Sequence, residues 1–338
     1  MGNILFYFVA MCMIWSTFAL LDPITIGGVA TVLAWWKYDF LKENTYCRLN
    51  ECCDDRSIPG NMYELQIRLQ DLFGQHIVKS QLIPALKSHL RNTRNSNKPL
   101  VISFHGTPGT GKNMVADMIA NSVYTNGLQS QFVHKFMGRA DFARNEEPYR
   151  YRTFIYEKVS KALRDCPRSL FIFDEVDKMP VGAFESLTSI VDYKGIVNRV
   201  DFSRAIFIFL SNTAGVEISK HLGNLMKEGV RREDTKMSNF EPTLEKAAYN
   251  MDGGLKKSSL IEAHTIDHFI PFLPLEKSHI YQCLRAEFKR YGVGPKEETL
   301  NKIANNVITY DPAYNIFVTS GCKKLDKKVA VAVYNMNL

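Results

Sequence analysis

The feature that most narrows what this chain can fold into is the run Gly106, Thr107, Pro108, Gly109, Thr110, Gly111, Lys112, Asn113. It directly follows an apolar stretch, Leu100 to Phe104, and opens a helical pattern near 112–124. Glycines between a strand and a helix let backbone N–H groups turn inward around phosphate oxygens, and the helix N-terminus adds a favourable dipole. Lys112 is placed to reach the β- and γ-phosphates of a nucleotide such as ATP. One position departs from the usual pattern. Asn113 stands where Ser or Thr supplies a hydroxyl to Mg2+, so an amide oxygen of different geometry takes that place, at an expected cost to metal affinity or turnover.

A phosphate loop of this kind needs a parallel sheet behind it, and the flanking sequence provides one. Leu100 to Phe104, Phe132 to Phe136, Leu170 to Phe173 and Ile206 to Leu210 read as strands buried on both faces. Helical stretches near 112–124, 150–164 and 181–192 lie between them. The alternation predicts a three-layer α/β/α domain around a parallel sheet. Ahead of it, Leu65, Leu69, Leu72, Ile77, Leu82 and Leu86 fall on a helical spacing interrupted at Phe73-Gly74-Gln75. Beyond Pro271-Phe272-Leu273-Pro274 the patterns Ile280, Leu284, Phe288 and Leu300, Ile303, Val307 predict a small C-terminal helical domain. The expected organisation is a leader at 1–21, an apolar segment at 22–42, the large domain at 43–272 and the small one at 273–338.

Two strand ends carry the remaining chemistry. Leu170 to Phe173 runs into Asp174 and Glu175. Asp174 is positioned to hold Mg2+, partly through water, and Glu175 to polarise an attacking water. A carboxylate pair there favours hydrolysis over phosphate transfer to a bound acceptor. The strand Ile206 to Leu210 ends at Ser211-Asn212, where Asn212 is expected to orient the same water and sense the γ-phosphate. The alternative for the Asp174-Glu175 stretch is a solvated acidic turn after the strand, including Asp177.

The start of the chain is much more apolar than the rest. No charge occurs from Ile4 to Leu21, which fits a secretory signal, although no Lys or Arg precedes the run and no clean cleavage site follows it. Ile24 to Trp36 is too short to span a bilayer and ends in Trp35-Trp36-Lys37, the chemistry of a membrane-surface segment. Removing Cys12 with the signal leaves Cys47, Cys52, Cys53, Cys166, Cys283 and Cys322, an even number whose pairing spacing alone does not give. No Asn-x-Ser/Thr sequon occurs in the chain. A composition 46% hydrophobic and 23% charged excludes a mainly disordered chain, and a net charge of +7 is too diffuse to argue for nucleic acid.

These motifs in this order resemble the AAA+ ATPases of the Clp/HSP100 branch, and more narrowly the torsins. The resemblance rests on Gly109-Thr110-Gly111-Lys112-Asn113, Leu72-Phe73-Gly74-Gln75-His76, Ser169 to Met179, Phe207 to Asn212, Phe269 to Leu275 and the terminal Gly321-Cys322-Lys323. It covers nearly the whole chain, including the vicinal Cys52-Cys53.

The resemblance implies residence in the endoplasmic reticulum lumen and the contiguous nuclear envelope, peripheral to the membrane. It makes Lys323 a lid cation that reaches ATP, and it implies a disulfide between Cys283 and Cys322. It further implies assembly into homo- or hetero-oligomers and activation by a membrane-anchored luminal partner of the lamina-associated polypeptide type, which supplies an arginine finger. ATP hydrolysis by the chain alone is then expected to be very low. Arg231 and Arg232 remain candidates for a finger within the chain. No aromatic-Gly threading loop stands out between the phosphate loop and Asp174, which puts polypeptide threading in doubt. The expected role is chaperone-like remodelling; the competing reading is a nucleotide-gated scaffold whose ATP-bound form binds partners.

Overall fold

The computed structural model describes residues 46–47, 50–91, 98–142, 148–191, 196–197 and 200–336. The expected signal at 1–21, the apolar segment at 22–42 and Cys12 lie outside them. The described residues fall into two units, one ending at Cys52 and one beginning at Cys53. Within the first, Cys47 and Cys52 are disulfide-bonded. Among the described residues no helix is long and apolar enough to cross a membrane.

The second unit is built on a five-stranded parallel sheet. Its strands are β1 (Leu100–Gly106), β2 (Val133–Met137), β3 (Leu170–Asp174), β4 (Ile206–Ser211) and β5 (His268–Phe272). They lie in the order β2-β3-β4-β1-β5. The first four are the strands expected from the sequence. The fifth is not: Pro271 inside a short apolar run argues against a strand, yet β5 is an edge strand, where proline is tolerated.

Strands β3 and β4 share a period-2 alternation of Phe with Leu or Ile, and the sheet sorts the two sets onto opposite faces. In register across the sheet, Phe136, Phe173 and Phe209 stack at centroid distances of 4.8 and 5.2 Å. Phe171 and Phe207 stack at 5.0 Å beside them. Phe184 meets Phe173 and Phe209 edge-on, closing this aromatic layer. Helices α4 (Pro148–Asp165), α5 (Glu185–Val191), α6 (Gly215–Lys227) and α7 (Met237–Asn250) contribute the apolar residues that cover it. The opposite face carries Ile102, Phe104, Ile172 and Ile208, covered from α1 (Met62–Arg68), α2 (His76–Arg91) and α3 (Lys112–Val123).

All six leucines and isoleucines of the expected N-terminal helical pattern are buried. The interruption at Phe73-Gly74-Gln75 separates α1 and a short 3-10 turn from α2. A second disulfide joins Cys53 to Cys166, closing a sequence separation of 113 residues.

C-terminal to β5, helices α8 (Lys277–Arg290), α9 (Glu297–Val307) and α10 (Leu325–Met336) share their own apolar cluster. Ile280, Leu284, Phe288, Leu300, Ile303, Leu325 and Val329 are buried in it, and Val307 packs at its margin. A short antiparallel pair, Leu275–Glu276 with Phe317–Val318, closes its base. Cys283 of α8 is bonded to Cys322, just ahead of α10.

Candidate functional site

Ligands of open parallel sheets bind beyond the carboxyl ends of the strands, and here β1, β3 and β4 each end in one of the expected motifs. After β1 the chain turns through Gly109 at φ +82° and Gly111 at φ +107°, and Gly111 is the N-cap of α3. L side chains rarely adopt such angles, so glycine is needed for the loop to coil before the helix starts. Lys112 is buried at the head of α3 and donates to the carbonyls of Gly106 (2.6 Å) and Thr107 (3.0 Å). Burial pushes its ammonium down to about 8, while the charges of Asp177 and Asp174 oppose that shift and Lys323 adds to it.

The atypical Asn113 has a definite partner. Its Nδ2 donates to Oδ2 of Asp174 at 2.6 Å, which leaves the amide oxygen of Asn113 as its metal-binding atom. Lys135 of β2 stands 3.7 Å from the same Asp174 oxygen and 3.9 Å from Asp117, one helical turn beyond Asn113. Burial raises the Asp117 carboxyl above its usual range. One carboxylate and one amide oxygen beside a phosphate loop fit Mg2+, which keeps several waters and takes one or two protein ligands plus substrate phosphates. Among the described residues no cluster of three or more His, Cys, Asp or Glu could cage a metal.

Glu175 follows Asp174 in the left-handed region, at φ 55° and ψ 47°. Non-glycine residues there are uncommon, and such angles concentrate at functional turns. Arg139, just past β2, places Nε 3.3 Å from Glu175 Oε2. Asn212, after β4, is half-buried, and its backbone N–H donates to Asp177 Oδ1 at 3.0 Å.

The β1 and β4 ends are also linked below the surface. His105 is fully buried, with Nε2 2.7 Å from Ser103 Oγ and Nδ1 3.4 Å from Thr213 Oγ1. Burial, aided by the Lys112 charge, pushes His105 down to about 4. Gly215 at the start of α6 packs directly against Thr107 of the phosphate loop.

The C-terminal region reaches the loop through its backbone. The N–H of Cys322 donates to the Gly109 carbonyl at 3.0 Å. A side chain at Gly109 would meet the Ser320 carbonyl and come within 3.2 Å of Lys323 Cβ, so Lys323 lies beside the phosphate loop. From the other side, buried Gln75 donates to the carbonyls of Thr110 (3.2 Å) and Leu273 (2.9 Å) and accepts from Leu273 N–H (2.8 Å).

The structure thus brings together Lys112, Asn113, Asp174, Glu175, Asn212 and Lys323, together with the loop from Gly106 to Gly111. Lys135, Arg139 and the bracing function of Gln75 were not legible in the sequence, because each depends on pairing between distant strands and loops. Arg232 is buried and donates to the carbonyls of Gly74 (2.7 Å) and Pro274 (2.8 Å) and to Glu276 (3.1 Å). That set of bonds makes it a structural brace between the loop ahead of α2 and the chain leaving β5. Exposed Arg231 forks onto Asp234 at 2.7 and 2.9 Å.

In fold the chain is similar to the S. cerevisiae Hsp104–ADP complex, with a TM-score of 0.57 at 14% identity. The match covers 88% of this chain and spans half the length of that chain. Sheet order, phosphate loop and C-terminal helices give the chain an AAA+-type α/β fold. The sequence model described as Torsin matches residues 47–173, and that described as Torsin-1A, C-terminal domain matches 275–331. A Torsin-like protein of Drosophila melanogaster is 55% identical over 318 residues, covering 93% of either chain. One of Caenorhabditis elegans is 37% identical over 292 residues, covering 85% of this chain and 82% of its own. The chain belongs to the torsin family.

Proposed function

We propose that this chain is an ATP-driven conformational switch of the endoplasmic reticulum lumen and nuclear envelope, which hydrolyses ATP when a membrane-anchored luminal partner completes its site. The observation that carries this reading is the convergence of Lys112, the Asn113–Asp174 pair, Glu175 and Asn212 at one end of the sheet. Lys112 and the loop amides hold the phosphates. Asp174 and Asn113 would hold Mg2+, which when bound neutralises and orients phosphate oxygens. Glu175 takes the proton of the attacking water, and Asn212 and Lys323 sense the nucleotide.

Arg232 is committed to internal bonds, which removes one of the two candidate fingers within the chain and supports a finger supplied by another chain. Such a finger contributes roughly 10³–10⁵ in rate to hydrolases of this kind. Three disulfides suit an oxidising compartment. The apolar residues 1–21 and 22–42 suit a secretory signal followed by a membrane-surface segment. The downstream role in this reading is chaperone-like remodelling of membrane proteins or lipid-linked assemblies.

The test is ATP turnover of the purified chain with and without luminal domains of candidate partners. Negligible turnover alone and strong stimulation by one partner is the expected result; background rates with every partner refute it. Glu175→Gln should retain ATP and lose roughly 10²–10⁴ in stimulated rate. The Arg139–Glu175 ion pair favours a second reading, a nucleotide-gated scaffold with little functional turnover. Restoration of nuclear-envelope function by Glu175→Gln in cells lacking the protein selects the scaffold.

A further inference from the structure

Asp177, two residues beyond Glu175, has a side chain only 7% exposed. Oδ1 accepts the backbone N–H of Asn212 at 3.0 Å and faces Nδ2 of the same residue at 3.5 Å. Oδ2 pairs with Lys178 at 3.2 Å. The backbone beneath it is pinned as well. Gly253 approaches so closely that a β-carbon there would lie 2.7 Å from Asp177 Cα, and Gly254 N–H donates to the Val176 carbonyl at 2.9 Å. The turn after β3 and the turn after β4, 35 residues apart, are therefore joined through one carboxylate held by both its oxygens.

We propose that Asp177 is the positioning residue of Asn212: it engages that residue's backbone and amide donors and so leaves the amide oxygen to act on the nucleotide site. An Asn side chain has one donor end and one acceptor end, and an acceptor at the first fixes which end is left over. Asn212 then works as a hydrogen-bond acceptor, holding a proton of the water that the γ-phosphate positions for attack, so its contact is made in the ATP state and lost in the ADP state. The charge of Asp177 also favours the protonated form of Lys112, which ties the same residue electrostatically to the phosphate loop. This inference rests on the reading of Asn212 as nucleotide sensor.

The experiment compares the full chain with Asp177→Asn, Asp177→Glu, Asn212→Ala and the double variant Asp177→Asn/Asn212→Ala. Two quantities are read: kcat and KM of partner-stimulated hydrolysis, and the preference for ATP over ADP in equilibrium binding of fluorescent analogues. Losing a charge-assisted hydrogen bond predicts a kcat lower by roughly 10- to 100-fold for Asp177→Asn, with KM within a few-fold. Asp177→Glu should recover part of that loss. The double variant should be no worse than Asn212→Ala, because residues acting as one unit are not additive. Multiplying effects, or a lowered Tm with unchanged kcat and unchanged ATP preference, overturn the proposal. Silence of Asn212→Ala in both assays overturns it together with the sensor reading. If the wild type hydrolyses nothing with any partner, the hydrolase reading fails, and the ATP-over-ADP preference still decides the role of Asp177.

Discussion

Arg139 and Glu175 face each other across the end of the sheet, with Arg139 Nε 3.3 Å from Glu175 Oε2. The carboxylate proposed to activate water is thus engaged by a cation from the turn after β2. The arginine is well exposed, so the pair is worth no more than about 1 kcal/mol. Arg139→Ala is therefore expected to raise the basal ATP turnover of the isolated chain by up to about fivefold. A fall in basal rate would show instead that Arg139 serves the transition state.

Lys112 titrates near 8 in the free protein because it is buried, and an anionic phosphate beside it must raise that value. Binding then requires proton uptake once the pH exceeds about 8. ATP affinity should be level up to that pH and decline through pH 9, by up to tenfold per unit. Lys112→Arg keeps its charge throughout and should bind with a flat profile over the same interval, whatever its absolute affinity. Titration of a fluorescent ATP analogue from pH 7 to 9.5 measures both.

His105 makes stability pH-dependent in the acidic range. Its folded-state pKa of about 4 lies below the usual 6.5, so between those values the unfolded chain binds more protons than the folded one. The burial of neutral His105 is fully tolerated above pH 6.5, and stability falls as the pH drops from 6.5 toward 4. The loss amounts to about 3 kcal/mol at most. Denaturant unfolding between pH 4.5 and 7.5 should therefore show a steeper acid decline for the wild type than for His105→Gln. Equal slopes would remove the histidine from the account.

The disulfides differ in what their loss should do. Opening Cys53–Cys166 releases a loop constraint of about 5 kcal/mol, and Cys166→Ser should lower Tm accordingly. Opening Cys283–Cys322, with a separation of 39 residues, releases about 4 kcal/mol by the same argument. That second bond also sits next to Lys323 and the contact with Gly109. Mild reduction should therefore weaken ATP binding severalfold in the wild type and not in Cys283→Ser. Unchanged affinity on reduction leaves the bond as a structural staple alone.

Much of this architecture is legible in the chain because it is local. The phosphate loop needs a strand before it and a helix after it, and both lie within a few residues of Lys112. The Phe-Ile-Phe alternation of β3 and β4 belongs to strands buried on two faces. What escaped the sequence is long-range. His268–Phe272 hides its strand behind Pro271, whose cost depends on where the strand lies in the sheet. Asp177 looks like any acidic turn residue until Asn212 folds against it. Arg232 resembles a free finger until Gly74, Pro274 and Glu276 surround it. The partners of the vicinal cysteines follow from which loop ends meet, and spacing carries no record of that.

The bond from Cys322 to Gly109 runs from one peptide group to another, and no side chain takes part in it. Cys322→Ala opens the disulfide yet leaves this N–H in place, whereas a β-carbon at Gly109 would run into the Ser320 carbonyl and push the two segments apart. Cys322→Pro deletes the donor itself. Genetic lesions that uncouple the C-terminal helices from the nucleotide are accordingly expected here as proline at position 322 and as any side chain at Gly109 or Gly321, where a β-carbon would meet the facing backbone.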